Sequence, residues 1–172
     1  MNETLKTLKT RRSVRAYLPE QIKEEELQQI LEAGEYAPTG MGAQSPVMVA
    51  VQDSETIRLL SRLNAAVMGN SGDPFYGAPT VIVVLADRNR GTCVEDGSLV
   101  MGNLMNAAAS LGVASCWIHR AREVFESAEG KALLEKWGLS QDYIGVGNCI
   151  LGYAAGPVPE AKPRKDNYVI RV

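Results

Sequence analysis

The chain has 172 residues, of which 45% are hydrophobic and 22% are charged, a composition typical of a globular protein with one core. Its 18 basic and 20 acidic residues leave a net charge of −2, so no global field attracts nucleic acid or an anionic membrane, and we expect neither as a partner. One histidine and three widely spaced cysteines without a C-x-x-C motif argue against a metal site and a disulfide framework.

We expect a single domain over residues 1–172, located in the cytoplasm. The N-terminal segment lacks the apolar stretch of a secretory signal, and the longest apolar run, residues 78–86, is too short to cross a bilayer.

The first predicted helix begins at Asn2 and runs to about Lys9, where it leads into the basic run Arg11-Arg12-Ser13-Val14-Arg15. In an extended segment, the first, third and fifth residues of this run would share one face. Forked guanidinium donors with a hydroxyl between them suit a phosphate. Two interpretations are open at this point: a phosphate site, or a solvated basic turn without a ligand.

The second predicted helix covers residues 23–36 and ends before Pro38. A loop of small residues, 37–46, then leads to a strand over residues 47–51. The loop contains G-x-G, but it follows a helix and lacks the third glycine, so it does not match the dinucleotide-binding fingerprint. Either its small residues allow close approach to a flat ligand, or it is a plain helix-to-strand connection.

The middle of the chain predicts a third helix from Asp53 to about Val67 and a buried, central strand over residues 78–86. A capping-box pattern, Thr92 to Glu95, opens the longest helix, which Gly112 ends. This helix is apolar nearly all round, so it is the centre of one domain or a seam between two subunits. We favour the seam, because one domain of this size can hardly cover every face.

The last part of the chain predicts a strand over residues 113–118, helices near 124–129 and 131–137, and a strand over 144–153. His119 and Arg120 follow the first of these strands, where they are either solvated or part of a site. The glycines of the last strand indicate close approach of another backbone.

Residues 156–172 are rich in proline and end in strand formers, so we expect an extended arm that pairs with a sheet edge, in this chain or in a second subunit. Helices and strands alternate, which predicts α/β or α+β architecture around four or five strands.

The order of these pieces resembles the FMN-dependent nitroreductase family in its short form. The stretches that carry the resemblance are the basic run 11–15, the loop 37–44, the strand opened by Gly77-Ala78-Pro79, the long helix from Asp96, the segment 111–118 and the tail Lys162-Pro163-Arg164-Lys165.

The resemblance implies an α+β, three-layer fold with a mainly antiparallel four- to five-stranded sheet, and a homodimer with exchanged C-terminal arms and two FMN sites at the interface. It also implies roles for sixteen residues. Arg11, Arg12, Ser13, Arg15, Arg164 and Lys165 match the group that binds the flavin phosphate; Pro38, Thr39, Gly40, Met41 and Gln44 match the loop that packs on the flavin from the partner subunit; and Trp117, Ile118, His119 and Arg120 match the segment whose backbone faces flavin N5 and O4. Arg15 is alternatively placed along the pyrimidine edge of the flavin. Asn64 is either a contact to the polar edge of the flavin or a surface amide.

The function implied is hydride transfer from NADH or NADPH to FMN, followed by reduction of a nitroaromatic, a quinone or a similar small acceptor in a ping-pong cycle. The sequence offers no Ser-His-Asp set and no carboxylate pair with acid–base spacing, so we expect no catalytic side chain. Two alternatives stay open: reduction of another activated substrate, and a flavin-binding or redox-sensing protein without efficient turnover.

Overall fold

The computed structural model describes residues 2–172, and over this range the chain forms six α-helices and one four-stranded sheet. The helices are α1 (Glu3–Thr10), α2 (Glu24–Glu35), α3 (Ser54–Val67), α4 (Cys93–Ser110), α5 (Ala121–Glu126) and α6 (Ala128–Lys136). The strands are β1 (Pro46–Val51), β2 (Thr80–Asp87), β3 (Ala114–Ile118) and β4 (Tyr143–Gly152). All three strand pairings are antiparallel, so the α+β prediction is confirmed.

The sheet has the order β1-β2-β4-β3, which places β2 and β4 at its centre. β2 is buried along nearly its whole length, as its apolar, β-branched sequence predicts. A β-bulge in β4 opposite Val84 and Leu85 makes Val146 an extra residue, so Val146 and Gly147 both lie against α4.

Two hydrophobic cores lie on opposite faces of the sheet and give the molecule three layers. Helices α3, α5 and α6 cover one face, and the core between them and the sheet includes Leu60, Val83, Phe125 and Ile150. Helices α2 and α4 cover the other face, and the core on that side includes Ile30, Ile82, Met101 and Cys149. Cys116 and Cys149 are buried free thiols in these two cores, as expected from their spacing.

The ends of α4 agree only in part with the sequence. Gly112 has φ +76° and the amide of Val113 donates to the Ala108 carbonyl at 2.9 Å, so the predicted stop is confirmed. The predicted capping box is wrong. The Thr92 hydroxyl accepts no hydrogen bond from the amides of the first turn and instead donates to the Asp96 carboxylate at 3.0 Å; the Thr92 backbone, at φ −108° and ψ 18°, lacks the extended conformation of a capping residue.

Helix α4 buries one face and leaves a second apolar face open within the chain. Val100, Met101 and Leu104 are buried, whereas Leu99 is 47% exposed. A Cβ atom on Gly102 would meet nothing within 4 Å among the described residues. The helix is therefore part of the core and also carries an uncovered apolar surface.

The glycines of β4 fit their surroundings closely, but only one of them meets another backbone. A Cβ atom on Gly145 would lie 2.2 Å from the Ala121 carbonyl oxygen, as predicted. Gly147 and Gly152 instead make room for the side chains of Trp117 and Tyr17. For these two, the prediction of a neighbouring backbone is wrong, because aromatic rings fill the space.

The C-terminal arm, residues 156–172, is exposed throughout and contains no helix or strand. The chain pairs with the N-terminal segment just before the arm: Ala154 bridges Tyr17, and the Ala155 amide donates to the Ala16 carbonyl at 3.0 Å. The prediction that the arm pairs with a sheet edge of its own chain is therefore wrong. Its pairing with a second subunit stays a prediction. Within residues 2–172, no helix combines the length and apolarity needed to span a membrane.

Candidate functional site

The basic run lies alongside β3, the edge strand of the sheet. Ser13 forms a parallel bridge with Ser115, and the Val14 amide donates to the Ser115 carbonyl at 3.0 Å. Val14 and Tyr17 anchor the run in the core, and the Tyr17 hydroxyl donates to the Val14 carbonyl at 2.7 Å. Burial raises the Tyr17 pKa far above its ordinary value, so this hydroxyl keeps its proton and its hydrogen bond.

Arg11 directs part of its guanidinium into the protein. Its Nη1 atom is buried and has no hydrogen-bond partner among residues 2–172. The side chain is close enough to Cys149 for its charge to oppose the rise of the Cys149 pKa to about 12, which burial and the Cys116 thiol cause. A buried charged donor without an acceptor is costly, so this atom fits an anionic ligand.

Arg12 points elsewhere. Its Nη1 atom donates to the carbonyls of Lys9 at 2.8 Å and Arg11 at 2.6 Å, at the C-terminal end of α1. A guanidinium in this position satisfies carbonyls that the helix leaves open. The structure therefore gives Arg12 Nη1 a role in the helix end.

A cavity of about 370 Å³ lies where β3 ends, a volume within the range of small-molecule sites. The predicted residues that line it are Arg15, Trp117, Ile118, His119 and Arg120. The rest of its lining comes from the segment 68–76. The fold thus brings Arg15 together with the end of β3, although more than a hundred residues separate them in sequence.

Asn64 forms hydrogen bonds to two residues that line this cavity, His119 and Arg120. Its Nδ2 atom donates to the His119 carbonyl at 2.7 Å, and its Oδ1 atom accepts from Arg120 Nε at 3.2 Å. The side chain is completely buried, so the surface-amide interpretation is wrong, and no part of it is exposed for direct contact with a flavin. Arg120 has φ +71°, a left-handed conformation that the two hydrogen bonds of Asn64 help to hold.

The loop predicted to pack on a flavin does not line this cavity in the same chain. Met41 is 99% exposed, and Pro38 and Gln44 are exposed as well. The Thr39 hydroxyl accepts from the Gln44 amide at 3.0 Å and stabilises the loop from within. The cavity and the loop are separate features of one chain.

Asp96 fixes this loop to α4, a role that the sequence did not reveal. Its carboxylate is buried and accepts hydrogen bonds from the Gly40 amide at 2.8 Å, the Thr92 hydroxyl at 3.0 Å and the Ser45 hydroxyl at 3.4 Å. An acidic residue in the first turn of a helix was the only available signal, and it normally indicates interaction with the helix dipole.

Arg164 and Lys165 lie in the exposed arm, apart from the basic run. The contact that the structure gives Lys165 is within the arm, where its Nζ atom lies 5.4 Å from the ring centre of Tyr168. Within one chain, the two parts of the predicted phosphate-binding set, the basic run and the pair Arg164 and Lys165, are therefore separate.

A larger cavity, about 800 Å³, lies between α3 and the segment 70–79 and contains none of the predicted residues. Its lining is mostly apolar, with Ile57, Phe75 and Ala78 among the contributors. The smaller cavity at the end of β3 is the better candidate site, because it joins an arginine to the backbone of a strand end.

Comparison with known proteins identifies the family of this chain and solved structures with the same fold. The family model described as "Nitroreductase family" matches residues 8–71 and 66–153. A crystal structure of a nitroreductase with bound FMN from Bacteroides fragilis is 32% identical, with a TM-score of 0.92 and complete coverage of both chains. A nitroreductase with bound FMN from Desulfitobacterium hafniense is 29% identical, with a TM-score of 0.89 and complete coverage of both.

A curated relative from Bacillus subtilis, named as an NAD(P)H FMN reductase, is 36% identical over 91 residues, which are 52% of this chain and 34% of that protein. The family match extends over most of the sequence and includes the basic run, the loop, α4 and the end of β3. The chain therefore belongs to the nitroreductase family.

Proposed function

We propose that this protein is an FMN-dependent oxidoreductase that takes electrons from NADH or NADPH and reduces a small acceptor, such as a nitroaromatic or a quinone, in a ping-pong cycle. The observation that carries the proposal is the buried, unpartnered Nη1 atom of Arg11, in the run that Ser13 joins to β3. The FMN bound by two structural relatives and the name of the Bacillus subtilis relative support it.

The residues present fit an FMN. Arg11 and Ser13 offer a charged donor and a hydroxyl for the phosphate, and the cavity at the end of β3 offers space for the ring. A bound FMN would supply the redox chemistry, as the acceptor of the nicotinamide's hydride and the source of reducing equivalents for the small acceptor.

The chain itself supplies position and charge. Arg15 and Arg120 place positive charge beside the cavity, where it stabilises negative charge that develops on a bound ring. Asn64 holds the backbone of His119 and the guanidinium of Arg120 in place, so the strand end is preorganised.

The site we propose is completed in a homodimer. The loop 38–44 and the arm carrying Arg164 and Lys165 lie away from the cavity of their own chain, and α4 has an uncovered apolar face. A second copy that packs on α4 would bring its loop and arm to this cavity. We take residues 1–172 as one domain that acts in the cytoplasm.

The visible spectrum of the purified protein tests the proposal first. We expect flavin absorbance at about one FMN per chain, loss of that absorbance with NADH or NADPH under argon, and its recovery on addition of a quinone. Bound flavin that neither nucleotide bleaches would instead support a flavin-binding or redox-sensing protein.

The phosphate assignment is tested by Arg11→Ala. We expect FMN affinity to fall by about 10- to 100-fold, because a charge-assisted contact contributes roughly 1.5–3 kcal/mol. Equilibrium ultrafiltration with flavin fluorescence measures the change. Arg122→Ala is the matched control, since Arg122 is exposed and pairs with Glu126 on α5. Equal flavin retention by the parent and Arg11→Ala would contradict the assignment.

A further inference from the structure

Tyr76 lines the cavity at the end of β3 together with His119 and Arg120. Its side chain is 40% exposed, whereas the preceding residue, Phe75, is 1% exposed and belongs to the core. Of two consecutive aromatic side chains, one therefore anchors the segment and the other faces the cavity.

The backbone of Tyr76 is held in an unusual conformation. Its φ is +55°, in the left-handed region that residues with a Cβ atom rarely adopt, and Gly77 follows with φ +72°. A bulky aromatic residue here is disfavoured unless its surroundings compensate.

Asp73 supplies that compensation. Its carboxylate accepts from the Phe75 amide at 2.9 Å, the Gly77 amide at 2.7 Å and the Ser61 hydroxyl at 2.5 Å. Its carbonyl accepts from the Tyr76 amide at 3.2 Å. This network ties the turn to α3 and fixes the backbone from which the Tyr76 ring projects.

The groups that face Tyr76 define the chemistry of the space. Arg15 and Arg120 line the same cavity, and neither forms a salt bridge within residues 2–172. The Asp73 carboxylate also lines the cavity, so two guanidiniums against one carboxylate leave an excess of positive charge beside the aromatic ring. Such a space favours a planar aromatic molecule that carries oxygen substituents.

We propose that Tyr76 is the specificity-determining side chain of the acceptor site, in the part of this cavity that a bound flavin ring would leave open, and that planar aromatic acceptors such as quinones and nitroarenes stack on it. This inference rests on the proposed function. The Asp73 turn holds the Tyr76 backbone in place before the acceptor arrives, so no backbone ordering is needed on binding.

Two substitutions distinguish the effect of the Tyr76 ring from the effect of the Tyr76 backbone conformation. Tyr76→Gly removes the ring and suits the positive φ, so we expect the thermal midpoint to be unchanged or higher. Tyr76→Phe keeps the ring and is the matched control. Both variants are studied as FMN-loaded protein, and the parent's flavin content and bleaching by NADH are measured alongside.

The direct readout is binding of 2-naphthoate, a planar aromatic anion that is not reduced, measured by titration calorimetry. We expect Tyr76→Gly to bind it about fivefold or more weakly and Tyr76→Phe to bind it like the parent. We expect kcat/KM for a quinone to fall in parallel in Tyr76→Gly, while the rate of flavin bleaching by NADH and the rate with ferricyanide stay at parental values.

Parental naphthoate affinity and quinone kcat/KM in Tyr76→Gly would overturn the inference. An equal fall in the NADH and quinone steps would also overturn it, because Tyr76 would then act on the flavin and not on the acceptor. A parent that binds no FMN, or whose FMN is not bleached, would refute the proposed function itself.

Discussion

At the scale of single residues, Asn64 determines the shape of the candidate site without facing it. The sequence places this asparagine in the predicted third helix but identifies no partner for its amide, because helical periodicity assigns a face and not a partner. Its two hydrogen bonds reach residues 55 and 56 positions away.

Asn64→Ala should therefore be strongly destabilising. The change leaves the His119 carbonyl without its donor and the Arg120 guanidinium without its acceptor, and it opens a small cavity; we expect a loss of roughly 2–4 kcal/mol in the free energy of unfolding. Urea denaturation followed by circular dichroism measures it. Asn89→Ala, which removes an exposed hydrogen bond to Asp87, should change stability by less than about 0.5 kcal/mol. A similar small effect for Asn64→Ala would contradict the positioning role.

At the scale of secondary-structure elements, α4 shows how one apolar sequence serves two surfaces. Gly97 lies against the β4 bulge, where an added Cβ would come within 2.5 Å of Val146 Cγ2, whereas Gly102 faces open space. The sequence predicted the helix and its apolar surface, but which glycine meets the sheet depends on the rotation of the helix.

Gly97→Ala tests the fit of α4 on the bulge. The new methyl group must displace Val146, and overpacking of this kind costs about 1–3 kcal/mol, which exceeds the gain of about 0.5–1 kcal/mol in helix propensity. We expect a lower thermal midpoint by differential scanning calorimetry. Gly91→Ala is the control, since a Cβ atom there would meet nothing within 4 Å among the described residues. A Gly97→Ala protein as stable as the parent would show that β4 can yield at the bulge.

Element boundaries followed the sequence closely where local signals agree. The predicted second helix, residues 23–36, differs from Glu24–Glu35 by one residue at each end, because the acidic first turn and Pro38 limit it. The predicted cap at Thr92 does not form because the Thr92 backbone is not extended as a capping residue requires; its hydroxyl donates to Asp96, which also accepts from the Gly40 amide 56 positions away.

At the scale of the whole molecule, the described chain leaves three surfaces exposed that the proposed homodimer would use. The arm, the loop 38–44 and the open face of α4 are separate exposed surfaces. Two copies related by a twofold axis would account for all of them with one interface.

Deletion of residues 156–172 should weaken both the dimer and FMN binding. The arm buries no side chain in its own chain, so we expect the circular dichroism spectrum of the remaining residues to be kept. Sedimentation velocity should show a shift toward monomer, and ultrafiltration should show FMN affinity reduced by about tenfold or more.

A full-length double variant, Arg164→Ala with Lys165→Ala, distinguishes the charges of the arm from its backbone. It should stay dimeric and still lose FMN more readily than the parent. A truncated protein that remains a dimer with parental flavin content would refute arm exchange.

The sequence by itself determined the helices and strands, the buried central strand, the stop at Gly112 and the concentration of guanidinium groups near the N-terminus, because each depends on residues that are neighbours along the chain. Only the tertiary structure decided that Arg11 buries a donor, that Arg15 meets the end of β3, and that Tyr76 lines the same cavity as Arg15. These relations depend on how three layers pack across separations of fifty to more than a hundred residues, and local periodicity contains no record of that packing.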